Sequence, residues 1–167
     1  MDLLKMAEAN TPKKPEKYSV FHKLLSMFSV VRGYNIFIIV LAQYLAAIFI
    51  FAPEKSLRET LLNPDLFLIV LATTCVIAAG YIINNFYDVK KDVINKPIKT
   101  KIDSIVSQKV KLKSYFVLNF IGVLFGLLVS WRAAVFFSVY IFLIWLYSHK
   151  LKKYPLTRLI SASVLAL

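Results

Sequence analysis

Asn84-Asn85-Phe86-Tyr87-Asp88-Val89-Lys90-Lys91-Asp92, with Asn95-Lys96-Pro97 close behind, is the stretch on which the reading of this chain turns. Asn84, Asp88 and Asp92 recur every four residues, so on a helix they climb one face in steps of about 6 Å. Two carboxylates and an amide would then point the same way. That face lies at the C-terminal end of an apolar segment, where the helix macrodipole is negative and disfavours a carboxylate by roughly 0.3–1 kcal/mol. A bound cation would remove the conflict. Hard oxygen ligands with few carboxylates suit Mg²⁺, which keeps waters and takes its other ligands from a substrate's phosphates. The spacing fits equally a solvated loop in which Asp88 and Asp92 only balance Lys90 and Lys91.

Composition places this stretch in a membrane setting. The chain has 167 residues, 59% of them hydrophobic, with four glycines and a mean hydropathy of +0.66. Those values do not describe an ordinary soluble domain; they describe an all-α polytopic transmembrane bundle. The formal charge of +12 would suit nucleic acid. The basic residues, however, sit between long apolar runs, where they face anionic membrane lipid, and this argues against a nucleic-acid partner. Cys75 is the single cysteine and lies inside an apolar run. It therefore reads as a buried structural thiol. His22 and His149 are too far apart in sequence to offer metal-ligand spacing. No P-loop, Rossmann glycine pattern or Gly-x-Ser-x-Gly elbow occurs.

Outward from the motif, the chain divides into apolar runs joined by charged loops. Residues 1–17 read as a mobile cytoplasmic tail and residues 18–33 as an amphipathic helix lying in the membrane interface. Complete spans are expected at about 34–51, 66–87, 114–130 and 132–147, with the start of a fifth at 159–167. The segment from Asp88 to Lys113 reads as a basic loop, Pro97 forbids simple helical continuation, and Ser107 is placed to cap the third span. Gln43, mid-span, requires a protein partner, and Thr73, Thr74, Ala78, Ala79 and Gly80 give the second span small surfaces for close packing. Of the lysines and arginines, 18 fall in the N-terminal region, the motif loop and the last loop, against three on the other side. The N-terminus and the acidic motif are therefore expected on the cytoplasmic side of a multi-pass integral membrane protein.

The motif as it stands resembles the first aspartate-rich motif of the UbiA-type intramembrane prenyltransferases, Asn-Asp-x-x-Asp-x-x-x-Asp, and Asn95-Lys96-Pro97 is similar to the segment just after that motif in the family. One position departs, since Asn85 stands where that family commonly has its first Asp. Arg32 and Asn35 resemble a pair on the family's first helix, and the stretch from Leu146 to Pro155 resembles the end of its fourth. The resemblance covers most of residues 18–167 but only the first half of a family protein, whose nine helices surround a central cavity with a second aspartate-rich motif on a later helix. The remaining acidic residues here form no second cluster, so the chain is expected to be an incomplete, inactive N-terminal portion.

The resemblance implies transfer of a prenyl group from an isoprenyl diphosphate to a lipophilic acceptor. The acceptor would be an aromatic quinone precursor, such as 4-hydroxybenzoate or 1,4-dihydroxy-2-naphthoate, or a glycerol-phosphate lipid precursor. Asn84, Asp88 and Asp92 are the implied Mg²⁺ ligands, with Asp88, Asp92 and Tyr147 as catalytic residues and Asn35, Asn84, Lys96 and Lys152 as substrate-binding ones. The family lysine falls on either Lys150 or Lys152, and a positive-inside loop accounts for both. A non-catalytic, cation-binding membrane subunit or transporter is the alternative that the acidic cluster leaves open.

Overall fold

The computed structural model describes residues 19–149. Among these, every regular element is a helix. They are α1 (Val20–Val30), α2 (Gly33–Ala46, continuing as a π-helical turn, Ala47–Phe51), α3 (Leu57–Leu61), α4 (Pro64–Asn95), α5 (Pro97–Asp103), α6 (Gln108–Val129) and α7 (Trp131–His149). Four stretches are long and apolar enough to cross a membrane: Gly33–Phe51, Pro64–Val89, Gln108–Val129 and Trp131–His149. The chain is thus an all-α polytopic bundle. The expected tail 1–17, the partial span 159–167, Lys150 and Lys152 lie outside the described residues.

Local chemistry sets the helix ends. Asn63 accepts a hydrogen bond from the Leu66 backbone N–H at 3.0 Å, Pro64 follows at the first helical position and Asp65 lies in the first turn, so α4 starts with its exposed donors satisfied. At α3, Ser56 and Glu59 form a reciprocal capping box. Ser107 caps α6 through the Val110 N–H at 3.4 Å, as its position in the sequence suggests. Between α6 and α7 the helical hairpin is tighter than a Ser130-Trp131-Arg132 linker: Ser130 alone is extended, and its hydroxyl accepts from the Ala133 N–H at 3.1 Å.

α4 is the centre of the bundle. Val70, Ala72, Val76, Ala79, Ile82 and Ile83 are buried along it. Toward the motif end, Ala79, Ile82 and Ile83 pack with Val30 of α1 and Tyr115 of α6; toward the other end, Ala72 and Val76 pack with Phe137 of α7. Cys75, on the same helix, is half-buried rather than fully enclosed. Close approach of α4 to α6 depends on Gly122, where an added Cβ would come within 2.7 Å of Val76 Cγ2 and 3.3 Å of the Ala72 carbonyl. Gln43 of α2 finds its partner on α4, donating through Nε2 to Thr73 Oγ1 at 3.0 Å, while its Oε1 is buried without one among the described residues. Large apolar side chains such as Phe37, Phe49, Phe116 and Phe120 are exposed, as suits surfaces that meet lipid tails.

The loop expected from Asp88 is instead mostly helical. α4 runs on to Asn95, so at 32 residues it extends about 48 Å, longer than the roughly 30 Å hydrocarbon core. It ends where the Pro97 ring and missing N–H stop it, and Pro97 itself opens α5. α1 presents its two sides unequally. Val20, Phe21, Leu24 and Phe28 are exposed, whereas Ser26 is fully buried and Ser29 reaches the end of α5.

Candidate active site

Because α4 is unbroken through the motif, Asn84, Asp88 and Asp92 stand on one continuous helical face, and all three line a single polar cavity of about 230 Å³. Lys96 lines it too. Its other walls bring in Lys91, three residues after Asp88 on the same helix, and two residues that spacing on one helix does not reveal: Arg32 from the α1–α2 turn and Lys99 of α5. Four cationic side chains thus face two carboxylates, Asp88 and Asp92, across a space large enough for a small anion and its counterion. No group of three or more His, Cys, Asp or Glu side chains gathers among the described residues. The donor set is therefore two carboxylates and the Asn84 amide, hard oxygen ligands that fit Mg²⁺ when phosphate and water complete its octahedron.

Arg32 is held in an unusual way. It is the only described non-glycine residue with a positive φ, 52°, in the left-handed region that L-residues seldom adopt. Gly33 beside it lets the Phe28 ring lie against the backbone: an added Cβ would come within 1.9 Å of a ring carbon and would push that exposed ring aside. The turn carries the guanidinium over the Tyr81 ring, 5.2 Å from its centroid, in cation–π geometry. The Tyr81 hydroxyl accepts from Asn35 Nδ2 at 3.2 Å. Asn35 therefore reaches the site through Tyr81. Tyr81 precedes Asn84 by three residues and Asp88 by seven, the same helical stripe, and that spacing was the available signal for it.

A second cavity of about 310 Å³ adjoins the first and is mainly apolar, with Ile39, Ile77, Ile144 and Tyr147 among its walls. Tyr81 and Asn84 line both cavities. Tyr147 is half-buried on the apolar side and does not line the polar cavity. Tyr87, although within the motif, faces another way: its hydroxyl lies 3.1 Å from His149 Nδ1, and the His149 ring stacks on Trp145.

Asn85 and Asp103 carry more than the sequence suggests. Asp103 is 3% exposed and gathers Ser29 Oγ at 2.8 Å, Asn85 Nδ2 at 2.9 Å and the Lys99 ammonium at 2.7 Å. The Asn85 carbonyl oxygen accepts from Lys111 Nζ at 2.9 Å. This network ties α1, α4, α5 and α6 together directly behind the polar cavity, which Asn85 and Lys99 also line.

Comparison with known proteins agrees with the family resemblance. The family model described as the UbiA prenyltransferase family matches residues 40–167. Among curated proteins, a digeranylgeranylglyceryl phosphate synthase from Pyrococcus horikoshii is 33% identical over 90 residues, 54% of this chain. The matched stretch spans about a third of that relative, 32% of its length. No solved structure matches significantly. With the family model covering more than half of the sequence and an apolar four-span bundle carrying the aspartate motif on its central helix, the chain belongs to the UbiA prenyltransferase family.

Proposed function

We propose that the protein transfers a prenyl group from an isoprenyl diphosphate to a lipophilic acceptor. The observation that carries this reading is the pairing of the two cavities: a polar space with excess cationic side chains opens beside an apolar one, with Tyr81 and Asn84 common to both. An amphiphile with a diphosphate head and an isoprenoid tail has the same division. Arg32, Lys96 and Lys99 supply positive charge to the head, and Ile39, Ile77 and Ile144 surround the carbons next to it. The name of the Pyrococcus relative favours a glyceryl phosphate lipid over an aromatic acceptor.

Asn84, Asp88 and Asp92 would hold Mg²⁺, whose charge stabilises the departing diphosphate. Asn35 fixes the Tyr81 hydroxyl at the cavity boundary, and the apolar walls around Tyr147 keep water from the allylic carbon. The allylic C–O bond breaks with its electron pair leaving on diphosphate. An acceptor hydroxyl oxygen forms the new C–O bond, and its proton passes to solvent. Lysine and arginine asymmetry, 18 against three, supports a cytoplasmic motif end, where Mg²⁺ and diphosphates are available.

The test is prenyl transfer by the full-length protein in lipid with Mg²⁺ and labelled donors, offering a glyceryl phosphate lipid and 4-hydroxybenzoate in separate arms. Asp88→Asn and Asp92→Asn should each lower turnover by at least about a hundredfold, as expected when charge stabilisation of a transition state is lost. Normal Mg²⁺-dependent turnover in both variants would remove the site assignment. A protein that transfers to neither acceptor and releases no diphosphate would overturn the reaction.

A further inference from the structure

The buried network behind the polar cavity is unevenly charged. Asp103 brings one negative charge and Lys99 and Lys111 bring two positive ones, while Asn85 and Ser29 are neutral. Asp103 is paired with Lys99, whose side chain is about one-third exposed at 34%. The Lys111 side chain, only 1% exposed, donates instead to an amide oxygen. Burying an ammonium beside a neutral partner is costly unless another charge compensates it, and of the two ammonium groups Lys99 itself lines the polar cavity while Lys111 stands behind Asn85.

The residue type at 85 enforces this imbalance. Its side chain must donate to a carboxylate on one side and accept from an ammonium on the other, which an amide does and an ionised carboxylate cannot. The reversed amide would set like partial charges against both neighbours, so the orientation is fixed as well. An Asp at 85 would cancel the surplus and bring a second carboxylate against Asp103.

We infer that Asn85, Asp103 and Lys111 are positioning residues that set the charge behind the polar cavity: their amide-carboxylate-ammonium relay is neutral in itself, so the Lys99 ammonium that pairs with Asp103 leaves one positive charge in excess and raises the affinity of the cavity for the diphosphate group. The inference rests on the prenyl-diphosphate reading. It predicts opposite signs for two single substitutions that each remove or add one charge at nearly constant volume. Asn85→Asp takes the network to neutrality and weakens anion binding. Asp103→Asn takes it to two positive charges and strengthens anion binding. A network that only holds helices together would weaken binding in both cases.

The experiment measures binding of inorganic diphosphate with Mg²⁺, and KM and kcat for the prenyl donor, on the full-length protein in lipid nanodiscs. Asn85→Asp should raise both the diphosphate Kd and the donor KM by about tenfold, the effect of one nearby unit charge at protein dielectric, with a smaller change in kcat. Asp103→Asn should lower the diphosphate Kd by about threefold or more. The exchange Asn85→Asp with Asp103→Asn restores the original net charge and gives Lys111 a carboxylate acceptor at 85, so its Kd should return to within about threefold of the parent. If Asn85→Asp does not fold, Asp103→Asn and the exchange variant carry the test. Parent-like binding in Asn85→Asp, weaker binding in Asp103→Asn, or no recovery in the exchange variant overturns the inference alone. A parent protein that binds no diphosphate overturns the functional reading beneath it.

Discussion

Replacing Tyr81 by Phe removes a single oxygen from the wall shared by the polar and apolar cavities. That oxygen accepts from Asn35 Nδ2 at 3.2 Å, a bond between α2 and α4 in a half-buried setting. Its loss costs about 0.5–1.5 kcal/mol, or roughly two- to tenfold in any equilibrium that requires Asn35 in place. The ring remains, so the Arg32 guanidinium keeps its contact at 5.2 Å from the centroid. Tyr81→Ala removes that contact too, adding about 0.5–1 kcal/mol from the cation–π interaction before any cost of a vacated ring. Arg32, held at a φ of 52°, then loses the group that receives its side chain. The donor KM should therefore rise about two- to tenfold in Tyr81→Phe and several times more in Tyr81→Ala. Steady-state prenyl transfer on both variants, with thermal unfolding as a control, measures the two steps separately. Parent-like kinetics in Tyr81→Phe would refute the placement of Asn35 through this hydroxyl, and equal effects in the two variants would refute the role given to Arg32.

Other expectations come from the packing, the charge distribution and one cap. Gly122→Leu should lower the unfolding temperature in detergent by several degrees, since even its Cβ meets Val76 Cγ2 at 2.7 Å and overpacking costs about 1–3 kcal/mol; an unchanged temperature would mean that α4 and α6 are not in close contact. Cysteines introduced at the exposed positions Lys101 and Ser56, in a protein whose Cys75 has been replaced, should be labelled from the cytoplasmic and the opposite side respectively, and the reverse result would invert the orientation. Hydrogen bonds from the Ser56 backbone N–H and hydroxyl hold the Glu59 carboxyl below its ordinary range. The Glu59 half of the α3 capping box therefore contributes fully above that range and is lost as the pH falls through the lowered value, while the Glu59 N–H to Ser56 Oγ bond stays, a titration that side-chain NMR of Glu59 would follow. An ordinary Glu59 titration would show that the capping box does not persist in solution.

The four spans were legible because each is a long apolar run, whereas the short helices α3 and α5 and the start of α6 at Gln108, six residues before the expected 114, lie in polar sequence that reads as loop. The loop expected at Asp88 was not, because charge density mimics solvation, whereas the Val89-to-Asn95 stretch has no helix breaker and stays helical until Pro97. Within the site, four-residue spacing brought Asn84, Asp88 and Asp92 together on one element. Tyr81 was recoverable from the same stripe. Arg32 was marked only by the family resemblance, and its place at the site depends on the left-handed turn; Lys99 and Lys111 were not recoverable, since their places depend on the fold of α5 against α1. Asn85 stood out as a departure from the family motif, and only the positions of Asp103 and Lys111 give it a physical account.

The uninterrupted course of α4 also bears on when conformational freedom is lost. On a flexible loop, Asp88 and Asp92 would have to be brought into register as their ligand arrived, and ordering each intervening residue would oppose binding by about 1–2 kcal/mol. On a helix anchored by Val76, Ala79 and Ile82 in the bundle core, that ordering is completed when the chain folds. The carboxylates then meet their partners already spaced, and more of the attraction appears as affinity.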